Sequence, residues 1–131
     1  MKSSSSQDVL YINDLASLCR VAVAESFFSR AGGLLVRGPL KDDEGLWIKQ
    51  CGSIHTIGMR YAIDVVFLDE RGCVLRVSEA VKPLRMRLHR GAASVLEMRA
   101  SAAAQFGITK GCLLTTTSSQ VAQVGPTPSY S

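Results

Sequence analysis

Apolar residues in this chain fall in short runs broken by turn formers, and few of them recur at helical spacing. Val9–Ile12 and Leu18–Ala24 flank Asn13-Asp14, a pair suited to a tight turn, so a hairpin is expected there. Leu46–Ile48 is a third short run. Ile63–Leu68 is β-branched and apolar on both faces apart from Asp64, the pattern of an interior strand. Asp69-Glu-Arg-Gly72 then turns the chain into Cys73–Val77, the clearest hairpin of the sequence.

Leu84, Met86 and Leu88 alternate with Arg85, Arg87 and His89, which predicts a half-buried strand with a basic outer face. Ser94–Met98 and Gly111–Leu114 add two strands. Two short helices are expected. Ser26 can cap Phe27–Ala31 ahead of Gly32-Gly33, and Ser101 can cap Ala102–Phe106 ahead of Gly107. Together these elements predict a mainly β (α+β) fold: a mostly antiparallel sandwich or barrel-like sheet of about seven or eight strands with two short helices. No strand is followed by a helix long enough for a doubly wound crossover.

The 131 residues suffice for one domain with a real core. Residues 1–7 and 115–131 are rich in Ser, Thr, Gln, Gly and Pro and read as disordered tails around a single β-rich domain over 8–114. With 47% hydrophobic and 20% charged residues the composition is that of a soluble globular protein. No run approaches the roughly 20 apolar residues of a membrane span, and no apolar leader follows Lys2, so a cytoplasmic location is expected. Cys19, Cys51, Cys73 and Cys112 are widely spaced and contain no C-x-x-C pair, which fits free thiols in a reducing compartment. The net charge of +4 permits weak attraction to anionic partners without requiring it.

Candidate chemistry concentrates in the stretch from Cys51 to Asp69. A loop over Gly52–Met59 carries His55, Thr56 and Met59 and runs straight into the Ile63–Leu68 strand. Polar groups beside a rigid strand make a common layout for a ligand site. His55 and Thr56 could hold a ligand or move a proton near neutral pH, or could simply bond to backbone and fix the turn. Cys51 and His55 could form a nucleophilic pair for a hydrolase or transferase, although no third orienting residue is identifiable. Asp64 requires a partner if buried. Arg37, Arg60 or a loop N–H could supply it, and Arg37 equally suits a carboxylate or phosphate ligand. Arg85, Arg87, His89 and Arg90 form the best anion-binding face, without the interleaved aromatics that stack on nucleic-acid bases. The cysteine and histidine spacing matches no standard zinc pattern. No cofactor signature is present.

Gly33-Leu-Leu-Val-Arg37, Glu44-Gly-Leu-Trp47, His55-Thr-Ile-Gly-Met59 through Asp69, Val95-Leu-Glu-Met98 and Gly107–Gly111 follow one another in order. In this series the chain resembles the domain-of-unknown-function family 192, over about Ala22 to Leu114, in its cytoplasmic branch with His-Thr-x-x-Met. The resemblance implies a β-rich single domain of uncharacterised activity. It also points to pilus or secretion assembly as a source of partners, since some relatives are encoded near such genes. Two departures stand out. Ser101 occupies a position that is usually Gly in the family, and Cys112 one that is usually Asp. The reading that emerges is a ligand- or partner-binding accessory protein. Its site would be at Gly52–Met59, where His55, Thr56 and Met59 face the ligand and Arg37 and Asp64 stand behind them.

Overall fold

The computed structural model describes residues 7–24, 40–50, 52–55, 61–83 and 85–124. Nine strands and two helices are formed among them. In chain order these are β1 (Asp8–Ile12), β2 (Leu15–Ala24), β3 (Glu44–Lys49), β4 (Ser53–His55), β5 (Ile63–Leu68), β6 (Val74–Val81), β7 (Met86–Leu88), β8 (Ser94–Arg99), α1 (Ala102–Gln105), β9 (Leu114–Thr116) and α2 (Thr117–Val124). Seven strands make one sheet in the order β6-β5-β8-β3-β2-β1-β9, and β4 pairs with β7 in a separate ribbon. Every pairing is antiparallel except that of β2 with β3. The expected mainly β, mostly antiparallel architecture is therefore present.

The β1–β2 hairpin turns at Asn13 and Asp14, with φ of 51° and 68°. Asn and Asp tolerate this left-handed conformation, and it matches the twist of the flanking strands. The predicted β5–β6 hairpin also forms. Asp69 Oδ1 accepts the backbone N–H groups of Arg71 and Cys73, both at 2.9 Å, which fixes the turn.

The sheet curls into a barrel-like shape but does not close. At its seam β6 and β9 meet through a single bridge, Cys73 opposite Leu113. Three backbone bonds hold it: Val74 N–H to Cys112 O, Gly111 N–H to Val74 O and Leu114 N–H to Gly72 O, at 2.8–2.9 Å. Asn13, at the tip of the first hairpin, joins this clasp by giving its N–H to Leu113 O and accepting the Leu113 N–H on Oδ1.

The core has two parts because β5 and β8 are apolar on both faces. Inside the curl, Leu10, Val21, Trp47, Val66, Leu68, Leu96, Met98 and Leu114 pack with Ala102, Ala103 and Ile108 from around α1. On the outer face Leu46, Ile48, Ile63, Val65, Phe67 and Val95 pack with Leu40, Tyr61 and Ala92.

Four expectations change. Thr115 and Thr116 lie in β9 and Thr117–Val124 form α2, so the part of the expected C-terminal tail up to Val124 is regular structure; residues 125–131 lie outside the described residues. Hydroxyls organise β9 and α2: Thr116 Oγ1 accepts the Ser119 N–H at 3.2 Å, and Thr117 Oγ1 accepts the Val9 N–H at 3.0 Å. Ser53–His55, read as loop, is a strand. The strand around Leu84–His89 forms over Met86–Leu88 but pairs with β4 and not with the main sheet. Its apolar face therefore points outward, with Met86 62% and Leu88 64% exposed, while Arg87 is half-buried. Finally, Ser101 precedes α1 as expected but gives no side-chain cap; it sits at φ 79°. The predicted helix over Phe27–Ala31 lies outside the described residues.

Candidate functional site

Asp64 is the most constrained of the predicted site residues. It lies on the inner face of β5 and is fully buried. Its Oδ1 accepts the Ala80 N–H at 2.8 Å and its Oδ2 the Ala103 N–H at 3.0 Å. Ala80 is itself at φ 49°, an irregular point of β6. The carboxylate thus ties β6 and the first turn of α1 to β5, and it supplies the helix with the acceptor that Ser101 does not. The expected partners were Arg37, Arg60 or a loop N–H; the donors are instead backbone N–H groups of a strand and a helix, and Arg37 and Arg60 lie outside the described residues.

The other predicted residues are not gathered into one described cluster. His55 closes β4 opposite Met86. Cys51, Thr56, Met59, Arg60 and Arg37 lie outside the described residues. Arg85 and Arg90 are exposed, whereas Arg87 is half-buried and donates from Nη1 to its neighbour's carbonyl, Met86 O, at 2.8 Å. His89 is half-buried with its ring 5.9 Å from that of Phe67, and its Nδ1 is buried without a hydrogen-bond partner. The four basic residues therefore do not share one solvated face.

A groove of about 1100 Å³ opens at the mouth of the open barrel. Five elements that are far apart in sequence build it. Trp47 and Lys49 come from β3, Ser94 from β8, Arg71 from the β5–β6 turn, Thr116 from β9 and Ser119 from α2. Gly52, the first residue of the predicted site loop, is also on its wall. A Cβ at Gly52 would lie 3.0 Å from Ala92 O, so this wall is tight at that point.

Trp47 is 8% exposed, and its Nε1–H donates to Ser94 Oγ at 2.9 Å. A hydroxyl has one donor and two acceptor positions. The indole takes one acceptor position, and among the described residues the Ser94 proton meets no acceptor. Across the groove Thr116 and Ser119 present hydroxyls that bond to each other at 3.3 Å. Lys49 and Arg71 stand at the rim beside Asp69 and Glu70 and make no ion pair among the described residues. Among the described residues, two positive and two negative side chains there balance each other.

A second polar feature lies on the outer face. Glu97 is fully buried opposite Leu46 and Val65. The neighbouring Tyr61 phenol is pushed above its ordinary value, mainly by burial. A hydrogen bond with the Leu40 backbone opposes this, and the charge of Glu97 adds to it. Burial likewise pushes the Cys19 thiol up to about 12, with Asp43 and Glu44 adding to the effect. Cys112 moves the other way. The Thr109 hydroxyl lies within hydrogen-bond distance of its Sγ and the Thr109 N–H donates to it, and the shift is downward despite some desolvation; Asn13 Nδ2 contributes at 3.8 Å. These donors hold the sulfur where relatives are expected to carry a carboxylate.

Sequence reasoning missed the groove. Trp47 stands in the short apolar run Leu46–Ile48 and is buried, and nothing local marks Ser94, Arg71 or Thr116 as neighbours of it.

An open, curled β sheet with a polar mouth defines a small barrel-like domain with a pocket at one end. The chain belongs to the DUF192 family, described as "Uncharacterized ACR, COG1430", whose match covers residues 10–116. Among solved structures, it is similar to a "putative transcription regulator" from Sinorhizobium meliloti, with a TM-score of 0.74 and 18% identity over 88% of this chain and 98% of that one. It is also similar to a protein of unknown function from Novosphingobium aromaticivorans, with a TM-score of 0.69 and 20% identity over 83% of each chain. At these identities the likeness bears on the fold alone. No curated protein matches the chain at a significant level.

Proposed function

We propose that this protein is a binding domain that takes a small molecule into the groove at the barrel mouth. The observation that carries the reading is the Trp47–Ser94 pair. Among the described residues a buried hydroxyl has no acceptor for its proton, in the wall of a concavity large enough for a small ligand. The loop proposed from the sequence, Gly52–Met59, starts on that same wall at Gly52, so His55, Thr56 and Met59 are candidates to complete the site. Asp64, with both oxygens on backbone N–H groups, serves in this reading as a support for the sheet and not as a ligand contact.

Trp47 is the single tryptophan of the chain, so its fluorescence reports on the groove directly. The test is a titration with pooled sugars, nucleotides, organic acids and divalent metals, followed by both Trp47 emission and amide NMR shifts. Saturable changes at Trp47, Ser94 and Gly52 support the reading. Shifts confined to other surfaces, or none, overturn it.

A second reading, docking of an acidic partner protein, is favoured by the β4–β7 ribbon. Met86 and Leu88 are exposed there beside Arg85 and Arg90. It expects association that weakens with salt and is lost in Met86→Ser/Leu88→Ser. The hydrolase alternative with Cys51 and His55 expects Cys51 to alkylate far faster than the other thiols near neutral pH.

A further inference from the structure

We infer that the ligand class of the groove is a neutral polyhydroxylated molecule, a sugar or cyclic polyol; this rests on the binding reading above. The buried polar side chains of the site are hydroxyls, those of Ser94, Thr115 and Thr116, whereas Lys49, Glu70 and Arg71 are exposed. Ser94 is 7% exposed and Thr116 5%, so these groups are held in place by packing and do not swing freely in solvent. Ser94 Oγ accepts the indole N–H, and among the described residues its proton meets no acceptor. Thr116 Oγ1 accepts the Ser119 N–H and gives its proton to Ser119 Oγ, and among the described residues the Ser119 hydroxyl proton meets no acceptor.

Fixed hydroxyls that can both give and accept complement a ligand whose own groups do both. A carboxylate or phosphate only accepts and would need concentrated positive charge. The groove does not concentrate it. Lys49 and Arg71 share the rim with Asp69 and Glu70; the N-terminus of α2 lies on the wall at Thr116 and Ser119, but there the Ser119 N–H already donates to Thr116 Oγ1 and the Ser118 N–H to the Asp8 carboxylate. An ammonium or metal cation fares no better. Asp69 Oδ1 is already engaged by two backbone N–H groups, and no group of three or more His, Cys, Asp or Glu side chains suited to a metal ion occurs among the described residues. The apolar part of the lining, from Val23, Ala92, Ala93 and Leu113, suits the C–H faces of a ring.

The experiment titrates the full chain with glucose, galactose, mannose, N-acetylglucosamine and myo-inositol. Inorganic phosphate, citrate and spermidine serve as charged probes, with Trp47 emission and groove amide shifts as readouts. At least one neutral probe is expected to saturate both readouts, with affinity changing less than about twofold as salt is raised. Ser94→Ala should weaken it about fivefold to tenfold, the effect of one hydrogen bond. Lys49→Gln/Arg71→Gln, on exposed side chains, should leave it within about twofold. Saturation by phosphate or citrate alone, falling with salt and lost in the Lys49/Arg71 variant, overturns the ligand class while the groove remains the site. Saturation by spermidine alone overturns it in the same way. Silence of the groove toward every probe overturns both readings.

Discussion

Gly72 and Leu114 lie against each other at the seam, with the Leu114 N–H donating to Gly72 O at 2.8 Å. Gly72 is at φ 92°, and a Cβ there would run into the Leu114 carbonyl oxygen, a backbone atom that cannot swing aside. Gly72→Ala therefore meets two obstacles at once, a left-handed backbone and a collision across the clasp. It should lower stability by about 2–4 kcal/mol, read as a fall in the urea midpoint at unchanged slope. A variant as stable as the parent would show that the clasp does not hold the barrel together.

Asp64→Ala leaves two backbone N–H groups, the part-buried one of Ala80 and the buried one of Ala103, without an acceptor. The expected loss is about 3–5 kcal/mol, since each orphaned donor costs about 1–3 kcal/mol. Asp64→Asn keeps one acceptor oxygen and turns an NH₂ toward the other donor, so it should fall between parent and alanine variant. Equal stability of Asp64→Asn and Asp64→Ala would contradict the two-acceptor role.

Ser101 holds φ 79° without using its hydroxyl as a cap. Glycine reaches that conformation at little steric cost. Ser101→Gly should stabilise the domain by about 1 kcal/mol, visible as a rise in Tm of roughly 4–8 °C for a domain near this size. A lowered Tm would mean that the Ser101 side chain contributes something the backbone geometry does not reveal.

The thiols should separate by reactivity and by pH. Cys112 carries a lowered pKa and Cys19 one near 12, so mass-spectrometric alkylation at pH 8 should label Cys112 before Cys19. The sign for stability follows from Cys19. Its folded pKa lies above the unfolded value of 9.0, so the neutral thiol is favoured by the fold. That contribution is complete below pH 9 and is lost as the pH rises toward 12, by about 1.4 kcal/mol per unit. Cys19→Ala should flatten this alkaline decline; an unchanged decline would place its origin elsewhere.

Legibility in the sequence followed the range of the interactions. The Asn13-Asp14 turn, the Asp69–Gly72 turn and the apolar β5 were readable because their causes lie within a few residues. The orientation of β7 was not. Alternation tells which side chains share a face, but whether that face is buried depended on pairing with β4, some 30 residues away. The segment after Leu114 was misread because Thr and Ser are scored as loop formers, yet the same hydroxyls cap α2 and bond to β1. The groove was invisible for a stronger reason. Trp47, Arg71, Ser94 and Thr116 meet only when β3, β5, β8 and β9 take their places in one curled sheet. Asp64, in contrast, announced itself as a lone charge in an apolar strand, and burial with paired oxygens is what that signal demanded.

The first strand of the chain finds its outer neighbour in the last one, Leu10 opposite Thr116 and Ile12 opposite Leu114. During synthesis the N-terminal hairpin therefore waits, one edge bare, until about a hundred further residues have left the ribosome. Pairings of such long range form late and leave unpaired backbone open to foreign strands in the meantime. For this fold the vulnerable interval is its own completion, and a chain cut before Leu114 would carry that exposed edge for as long as it lasts.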